Sequence, residues 1–204
     1  RAFFLQKSVD FMKRVLLLGD SIRMGYDGYV RDLLKGKAEV HFEEDNGRFA
    51  AYTLWQVNQV FRHHGRFDVV HWNNGYWDMN IEPPMTEAMH PLEEYLHFLR
   101  RILGEIRKNG AKVIFATTTP ILVEGAGVDN TGTRAAFTYN DTWVRNYNEA
   151  AQKLMAEEGV PVNDLYTLCK QSPTYYKCPD MLHLTEEGYL ACARQAVRCI
   201  EELL

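Results

Sequence analysis

The residue types best suited to chemistry in this sequence are a serine near its start and an aspartate–histidine pair near its end. Ser21 follows the apolar run 15–18, which has the length of a buried strand. Asp180 and His183 are three residues apart, so one turn can place the carboxylate against imidazole Nδ1 and leave Nε2 for Ser21. A serine hydroxyl becomes a nucleophile when a base takes its proton and a third group orients that base. Together these residues predict acyl transfer.

Each of these residues also has a simpler structural interpretation. A serine after a strand is usually a helix cap, and His183 is compatible with a mere approach to the helix that Thr185 opens. Taken singly, the structural interpretation is the better one for each residue. The combination of the three favours catalysis.

The elements that must position these residues alternate between strand-like and helix-like segments. This alternation predicts an α/β protein whose parallel sheet has helices on both faces. Ligands bind such sheets beyond the carboxyl ends of the strands, where polar clusters at residues 20–21, 73–74 and 117–119 follow predicted strands. The predicted strands cover residues 14–18, 39–42, 68–72, 112–116 and 160–162. The predicted helices cover residues 26–34, 52–61, 91–107, 141–157 and 185–203, and residues 124–132 are predicted to form a surface loop.

Length and composition indicate one globular domain. The chain has 204 residues, of which 46% are hydrophobic and 25% charged. We assign the domain to residues 12–204 and interpret residues 1–11 as an N-terminal extension or as sequence added for expression. The net charge of −4 gives no reason to expect nucleic acid or an anionic membrane as a partner. The sequence does not indicate an oligomeric state.

The start of the chain predicts a cytoplasmic protein. Residues 1–11 lack the long apolar segment and the small-residue cleavage site of a signal peptide, and Met12 stands where a natural start would be. Secretion or a periplasmic location is the alternative if a leader has been removed. No apolar run approaches the length of about 18 residues that spans a bilayer.

The cysteines and most histidines give no pattern typical of a metal site. The four cysteines are Cys169, Cys178, Cys192 and Cys199. None forms a CxxC pair, so they are expected to be thiols, with a Cys169–Cys178 disulfide as the alternative in an exported protein. His41, His63 and His64 lack a ligand spacing and are interpreted as surface residues. We therefore predict neither a metal nor a cofactor.

Four short segments resemble the sequence blocks of the SGNH/GDSL hydrolases, in the same order. Gly19-Asp20-Ser21-Ile22 resembles block I, and Asp180-Met181-Leu182-His183 resembles the terminal DxxH block. Asn46-Gly47-Arg48 falls where the family has its block II glycine, and Gly75-Tyr76-Trp77-Asp78 falls where it has its GxND block. The resemblance extends from residue 15 to residue 200.

The resemblance implies a three-layer, flavodoxin-like fold with a five-stranded parallel sheet. It implies a serine esterase in which Ser21 is the nucleophile, His183 the base and Asp180 its orienting partner. The backbone N–H groups of Ser21 and Gly47 would be oxyanion donors. No metal or cofactor takes part in this chemistry.

The third block departs from the family pattern, because Trp77 stands where the family has its oxyanion asparagine. The run Asn73-Asn74-Gly75-Tyr76-Trp77 is instead similar to the Asn-x-Gly-His-Trp pattern of the PC-esterase and polysaccharide O-acetyltransferase branch. We therefore expect Asn73 or Asn74 to supply the missing donor. Strand alternation points the two in opposite directions, and Asn74 is slightly preferred.

The same resemblance suggests a small acyl group, most plausibly acetate, carried on a carbohydrate as a small-molecule or oligosaccharide ester. Arg23 and Arg48 are candidates to bind an acidic or hydroxyl-rich substrate, with surface ion pairing as the equal alternative. Tyr76 and Trp77 are candidates to stack on a sugar. The other two tryptophans considered, Trp55 and Trp143, are interpreted as core residues.

Three rival functions are weighed against the esterase. A polysaccharide O-acyltransferase would use the same three residues with a sugar hydroxyl as acceptor. A non-catalytic carbohydrate-binding relative is disfavoured because Ser21, His183 and Asp180 are all present. A nucleotide-binding protein is disfavoured because the turn at residues 19–25 lacks both GxGxxG and GxxxxGK[ST].

Overall fold

A computed structural model describes residues 12–81, 84–123, 140–176 and 180–204. Three predicted features lie outside these ranges: the N-terminal extension at 1–11, the loop at 124–132 and Cys178. Within them, Cys169 and Cys192 are buried free thiols whose sulfur atoms lie 3.7 Å apart.

The protein contains a five-stranded parallel sheet, as predicted. The spatial strand order is β2-β1-β3-β4-β5, which is the flavodoxin-like order. The strands are β1 Lys13–Leu18, β2 Ala38–Phe42, β3 Val69–Trp72, β4 Lys112–Ala116 and β5 Val162–Asn163. The central strands are apolar runs buried along almost their whole length, as a sheet covered on both faces requires.

Helices cover the sheet in two groups. Helix α1 packs against α7, while α2 packs against α4 and α4 against α5. Right-handed crossovers place these groups on opposite faces, because the chain moves one way from β1 to β2 and the other way from β2 onward. The helices are α1 Ser21–Leu33, α2 Ala50–His64, α3 Tyr76–Met79, α4 Leu92–Asn109, α5 Asp141–Glu157, α6 Leu165–Lys170 and α7 Glu186–Glu201, with a 3₁₀ turn at Pro173–Tyr175.

The strand register aligns the ends of the central strands. Leu18, the last residue of β1, pairs with Trp72, and Trp72 in turn pairs with Phe115. The residues after these strands therefore meet along one edge of the sheet. This edge is where the sequence predicted the site.

The predicted boundaries of two elements need correction. Helix α1 begins at Ser21 rather than at residue 26, because the Asp20 carboxylate accepts a hydrogen bond of 2.9 Å from the Ile22 N–H and caps the helix. Strand β5 covers Val162–Asn163 rather than residues 160–162, because Pro161 has no N–H to donate to the sheet. Helices α3 and α6 were not predicted, since neither is long enough to show a helical period.

Candidate active site

Ser21 lies at the meeting point of β1 and α1. It is the first residue of α1, and only two residues, Gly19 and Asp20, separate it from β1. Its Oγ lies 2.9 Å from Nε2 of His183, 162 residues further along the chain. The hydroxyl and the imidazole are thus within hydrogen-bonding distance.

His183 is oriented by Asp180 from within the same turn. Its Nδ1 lies 2.8 Å from Asp180 Oδ2, while Asp180 Oδ1 accepts hydrogen bonds from the N–H groups of Leu182 (3.0 Å) and His183 (3.2 Å). Burial raises the pKa of Asp180, but the hydrogen bonds from His183 and these N–H groups outweigh it, so the pKa lies below its usual value. The carboxylate therefore stays ionised and favours a proton on Nδ1.

The residues that follow His183, Leu184 and Thr185, fix the position of its turn. Leu184 is fully buried, and it pairs with Tyr176 in an isolated antiparallel bridge. Thr185 caps α7, since its Oγ1 accepts a hydrogen bond of 3.2 Å from the Gly188 N–H. The side chains of Asp180 and His183 are each 36% exposed, so a substrate can reach the imidazole.

Gly47 serves a different purpose from the one predicted. Its N–H donates a hydrogen bond of 2.9 Å to the Gly19 carbonyl, and is therefore engaged within the protein instead of pointing at a substrate. A Cβ on Gly47 would lie 2.6 Å from that oxygen, so only glycine allows this approach. The expectation that Gly47 is an oxyanion donor does not hold in this arrangement. Glycine at position 47 allows the segment after β2 to hydrogen-bond to the end of β1.

The two asparagines are also fully engaged. Asn74 is completely buried, its Nδ2 donates to Arg48 O (3.1 Å) and Thr53 Oγ1 (2.9 Å), and its Oδ1 accepts from Trp72 Nε1 (2.7 Å). The Asn73 amide donates to the Ala116 carbonyl at 2.8 Å and lies 3.4 Å from a threonine hydroxyl. Neither amide has a proton left for a substrate, so the expected side-chain donor is not found here.

The Ser21 N–H remains as a donor. It belongs to the first turn of α1, where backbone N–H groups have no partner within the helix. The Ile22 N–H beside it is taken by Asp20. The positive end of the helix dipole also favours a developing negative charge at this point.

Arg23 is an interior residue, contrary to both interpretations from the sequence. Its exposure is 2%, and its guanidinium binds the carboxylate of Asp27 (2.7 Å) and the carbonyls of Glu43 and Asp45 (both 2.9 Å). Arg23 therefore holds the connection after β2 against α1. It is neither a substrate ligand nor a surface ion pair.

The other residues predicted to bind the substrate, Arg48, Tyr76 and Trp77, differ in how far they are buried. Arg48 is half-buried, ion-paired with Asp45 at 3.3 Å, and its guanidinium lies 4.6 Å from the ring centre of Tyr52. Tyr76 is buried and its hydroxyl donates to the Thr119 carbonyl at 2.6 Å, so it cannot stack on a sugar at the rim. Trp77 is partly buried against the core.

The expectation for Trp55 is wrong, because this side chain is 56% exposed. Its ring centre lies 5.4 Å from that of Tyr52. Trp143 is partly buried and packs against the core, as expected. Trp55 was expected in the core as an aromatic residue, but position 55 lies on the outer face of α2.

One buried pair beside the site was missed from the sequence. His90 Nδ1 lies 2.6 Å from Asp78 Oδ1, and the same carboxylate oxygen accepts a hydrogen bond of 2.8 Å from the Ala50 N–H at the start of α2. Burial raises the pKa of Asp78, while the hydrogen bond from His90 opposes that rise. No local spacing indicated this pair, because residues 78 and 90 are 12 positions apart.

The profile of the GDSL-like lipase/acylhydrolase family matches residues 17–191, which include Ser21, Asp180 and His183. The chain belongs to this family. Membership confirms the predicted class of enzyme, a carboxylic ester hydrolase. No curated protein sequence matches the chain significantly.

Solved structures share the fold at low sequence identity. A GDSL-like lipase from Bacteroides thetaiotaomicron is 19% identical, with a TM-score of 0.72, over 94% of this chain and 89% of its own. A carbohydrate acetylesterase from Sinorhizobium meliloti is 12% identical, with a TM-score of 0.75, over 94% and 100%. An aryl esterase from M. smegmatis is 15% identical, with a TM-score of 0.71, over 94% and 100%. These similarities confirm the flavodoxin-like SGNH fold.

None of the helices within the described residues is long and apolar enough to cross a membrane.

Proposed function

We propose that this GDSL hydrolase cleaves small acyl esters, most plausibly acetyl esters of carbohydrates, through an acyl-enzyme on Ser21. The observation that carries the proposal is the continuous chain of contacts from Ser21 Oγ to His183 Nε2 (2.9 Å) and from His183 Nδ1 to Asp180 (2.8 Å). This is the geometry that nucleophilic catalysis by serine requires.

The reaction proceeds in two steps, acylation and then deacylation of Ser21. His183 Nε2 takes the proton of Ser21 as Oγ attacks the ester carbonyl, and the imidazolium then gives that proton to the departing alcohol. Water, deprotonated by His183, attacks the acyl-enzyme, and the carboxylic acid leaves as Ser21 regains its proton. Asp180 holds the ring and stabilises the imidazolium in both steps.

The oxyanion is stabilised first by the Ser21 N–H at the start of α1. Asn73, Asn74 and Gly47 instead hold the backbone at this edge of the sheet, through bonds to the carbonyls of Ala116, Arg48 and Gly19. Removing one oxyanion donor typically costs about 10²–10³ in kcat. A donor supplied by the backbone cannot be removed by truncating a side chain, which makes this site robust to substitution at its rim.

Two observations support a carbohydrate as the part of the substrate that leaves. Arg48, Tyr52 and Trp55 form a partly exposed strip in which a guanidinium and two aromatic rings lie against one another. Such a strip suits a hydroxyl-rich ring, which stacks on aromatic faces and donates to polar side chains. The similar structure from Sinorhizobium meliloti is itself described as a carbohydrate acetylesterase.

The first experiment measures p-nitrophenyl acetate hydrolysis by the wild type, Ser21→Ala and His183→Ala. We expect each variant to lose at least about 10³-fold in kcat/KM while its circular dichroism spectrum is unchanged. Equal rates for all three proteins would mean that the assignment of the three residues is wrong.

The second experiment measures acetate release from a panel of acetylated oligosaccharides by the wild type and by Trp55→Ala. Release of acetate without an added acceptor supports hydrolysis, whereas deacetylation that requires an acceptor sugar and yields that sugar in acetylated form identifies an O-acyltransferase. We expect Trp55→Ala to raise KM for the oligosaccharides and to leave p-nitrophenyl acetate hydrolysis unchanged. An equal effect on both substrates would remove Trp55 from sugar recognition.

A further inference from the structure

A second cluster of chemically active side chains, which includes none of Ser21, Asp180 and His183, lies at the β2 edge of the sheet. His41 is on β2, Glu43 follows that strand, and His64 is the last residue of α2. Glu43 Oε1 lies 2.9 Å from His41 Nε2 and 3.8 Å from His64 Nε2. One donor atom from each of the three residues lies within 4.8 Å of the other two.

These distances suit a tetrahedral metal ion. Zinc binds imidazole nitrogen and carboxylate oxygen at about 2.0–2.2 Å, so two ligands at a tetrahedral angle lie about 3.3 Å apart. The two measured distances, 2.9 and 3.8 Å, bracket that separation. The side chains of His41, Glu43 and His64 are 23%, 35% and 41% exposed, so small rotations can bring the donors onto one ion.

We propose that His41, Glu43 and His64 bind a divalent transition metal ion, with Zn²⁺ the best match, through two imidazoles and one carboxylate. Two neutral imidazoles and one carboxylate are a common donor set for such ions. Glu43 and His64 also line a surface groove with Tyr52, Trp55 and His63, so the proposed ion would be reachable from this groove. Water or a polar group of a bound molecule can complete the coordination.

A simple ion pair accounts less well for this arrangement. One N–H donor is enough for an ordinary hydrogen bond, yet two imidazoles approach the same oxygen of Glu43, and the centres of their rings are 4.1 Å apart. A metal ion would give both nitrogens directed at the cluster a partner at once.

The surroundings do not oppose a bound cation. Two guanidinium groups contact the backbone of the cluster. That of Arg23 donates to the Glu43 carbonyl at 2.9 Å, and its charge is paired with Asp27 at 2.7 Å. That of Arg14 donates to the His64 carbonyl at 2.8 Å. Its charge is shared with Glu39 at 3.6 Å, and it lies over the Phe67 ring. The metal would therefore join β2 to the end of α2 without displacing a residue of the core.

The test measures Zn²⁺ binding by isothermal titration calorimetry, using protein without a histidine tag, and follows Co²⁺ binding by its visible absorption. The proteins are the wild type, His64→Ala, Glu43→Gln and the matched control His63→Ala. His63 is next to His64 on α2, but its Nδ1 is bonded to the Gln59 carbonyl at 2.8 Å and it is outside the cluster.

We expect one Zn²⁺ per wild-type chain, a Co²⁺ spectrum typical of tetrahedral coordination, and a rise in Tm when Zn²⁺ is added. His64→Ala and Glu43→Gln should each weaken binding by at least about tenfold, whereas His63→Ala should stay within about twofold. Circular dichroism checks that each variant is folded. No binding by the wild type, or an equal loss in His63→Ala and His64→Ala, would overturn the proposal.

Discussion

Two groups of polar residues lie at the same edge of the sheet and behave differently. The reactive corner, made of Ser21, Asp180 and His183, is partly exposed and connected by contacts of 2.8 and 2.9 Å. The buried polar network, made of Asn73, Asn74 and Tyr76, is almost inaccessible, and its side chains are bonded to backbone carbonyls and threonines. Ser21 follows β1 and the buried polar network follows β3, and both groups looked like site residues in the sequence.

The difference shows that position after a strand is not enough to identify a reactive group. A side chain that takes part in catalysis needs a free lone pair or proton and a path to the substrate. A buried side chain whose hydrogen bonds are complete has neither, and its value lies in holding the backbone. Substitutions should therefore separate the two groups, the first through activity and the second through stability.

The largest effect is expected for Asp180→Asn. The amide oxygen can still accept the two backbone N–H groups, but the amide nitrogen then faces His183 Nδ1 and favours the wrong tautomer. We expect kcat/KM for p-nitrophenyl acetate to fall about 10³–10⁴-fold, with Tm within about 2 °C of the wild type. A large loss of Tm with activity retained would reverse the roles of the two groups.

Asn74→Ala tests the buried polar network. It leaves the Arg48 carbonyl, the Thr53 hydroxyl and the Trp72 indole without this partner, so we expect unfolding in urea to show a loss of about 2–4 kcal/mol. Asn58→Ala is the control, because Asn58 bonds only within its own helix in the contacts described. Unchanged stability with a 10²-fold lower kcat would restore Asn74 as an oxyanion donor.

Asp20 is the residue before Ser21, and its carboxyl group is expected to make the free energy of unfolding depend on pH. Burial raises its pKa to about 6, although the Ile22 N–H opposes the rise. Because the folded-state pKa is above the unfolded one, the neutral carboxyl contributes stability below about pH 4, and this contribution is lost as the pH rises through about 6.

Asp20→Asn should keep the helix cap through its amide oxygen and remove this dependence. Relative to the wild type, the variant should be more stable at pH 7.5 than at pH 4 by about 2–3 kcal/mol, measured by urea unfolding at both pH values. If the stability difference between Asp20→Asn and the wild type does not vary with pH, the Asp20 carboxyl has the same pKa in the folded and unfolded states.

The smallest effect is expected for Arg48→Ala. Its ion pair with Asp45 is about half-exposed, so the free energy of unfolding should change by less than about 0.5 kcal/mol. If the partly exposed strip of Arg48, Tyr52 and Trp55 binds the sugar, KM for an acetylated oligosaccharide should rise about two- to fivefold, while KM for p-nitrophenyl acetate stays the same. A loss of stability comparable to that of Asn74→Ala would place Arg48 in the buried network.

Much of the fold was predictable because its signals are local. Buried strands such as β1 and β4 are short apolar runs, and α4 and α5 show a clear helical period, so their positions were predicted to within two residues. The start of α1 was less accurate, since it depends on one capping contact of Asp20. The short helices α3 and α6 carry no period and were missed.

The sequence by itself determined the α/β alternation, the edge where the site lies and the contact of Asp180 with His183, because strand patterning and the spacing of these two residues are properties of the chain. The approach of His183 to Ser21, 162 residues away, is a contact of the tertiary structure. Only the tertiary structure decided that Arg23, Asn73, Asn74 and Gly47 are engaged inside the protein. It alone brought His41 and Glu43 to His64, about twenty residues away. Which hydrogen bonds are complete, and which donors meet, depends on contacts between distant segments, and no local pattern encodes such contacts.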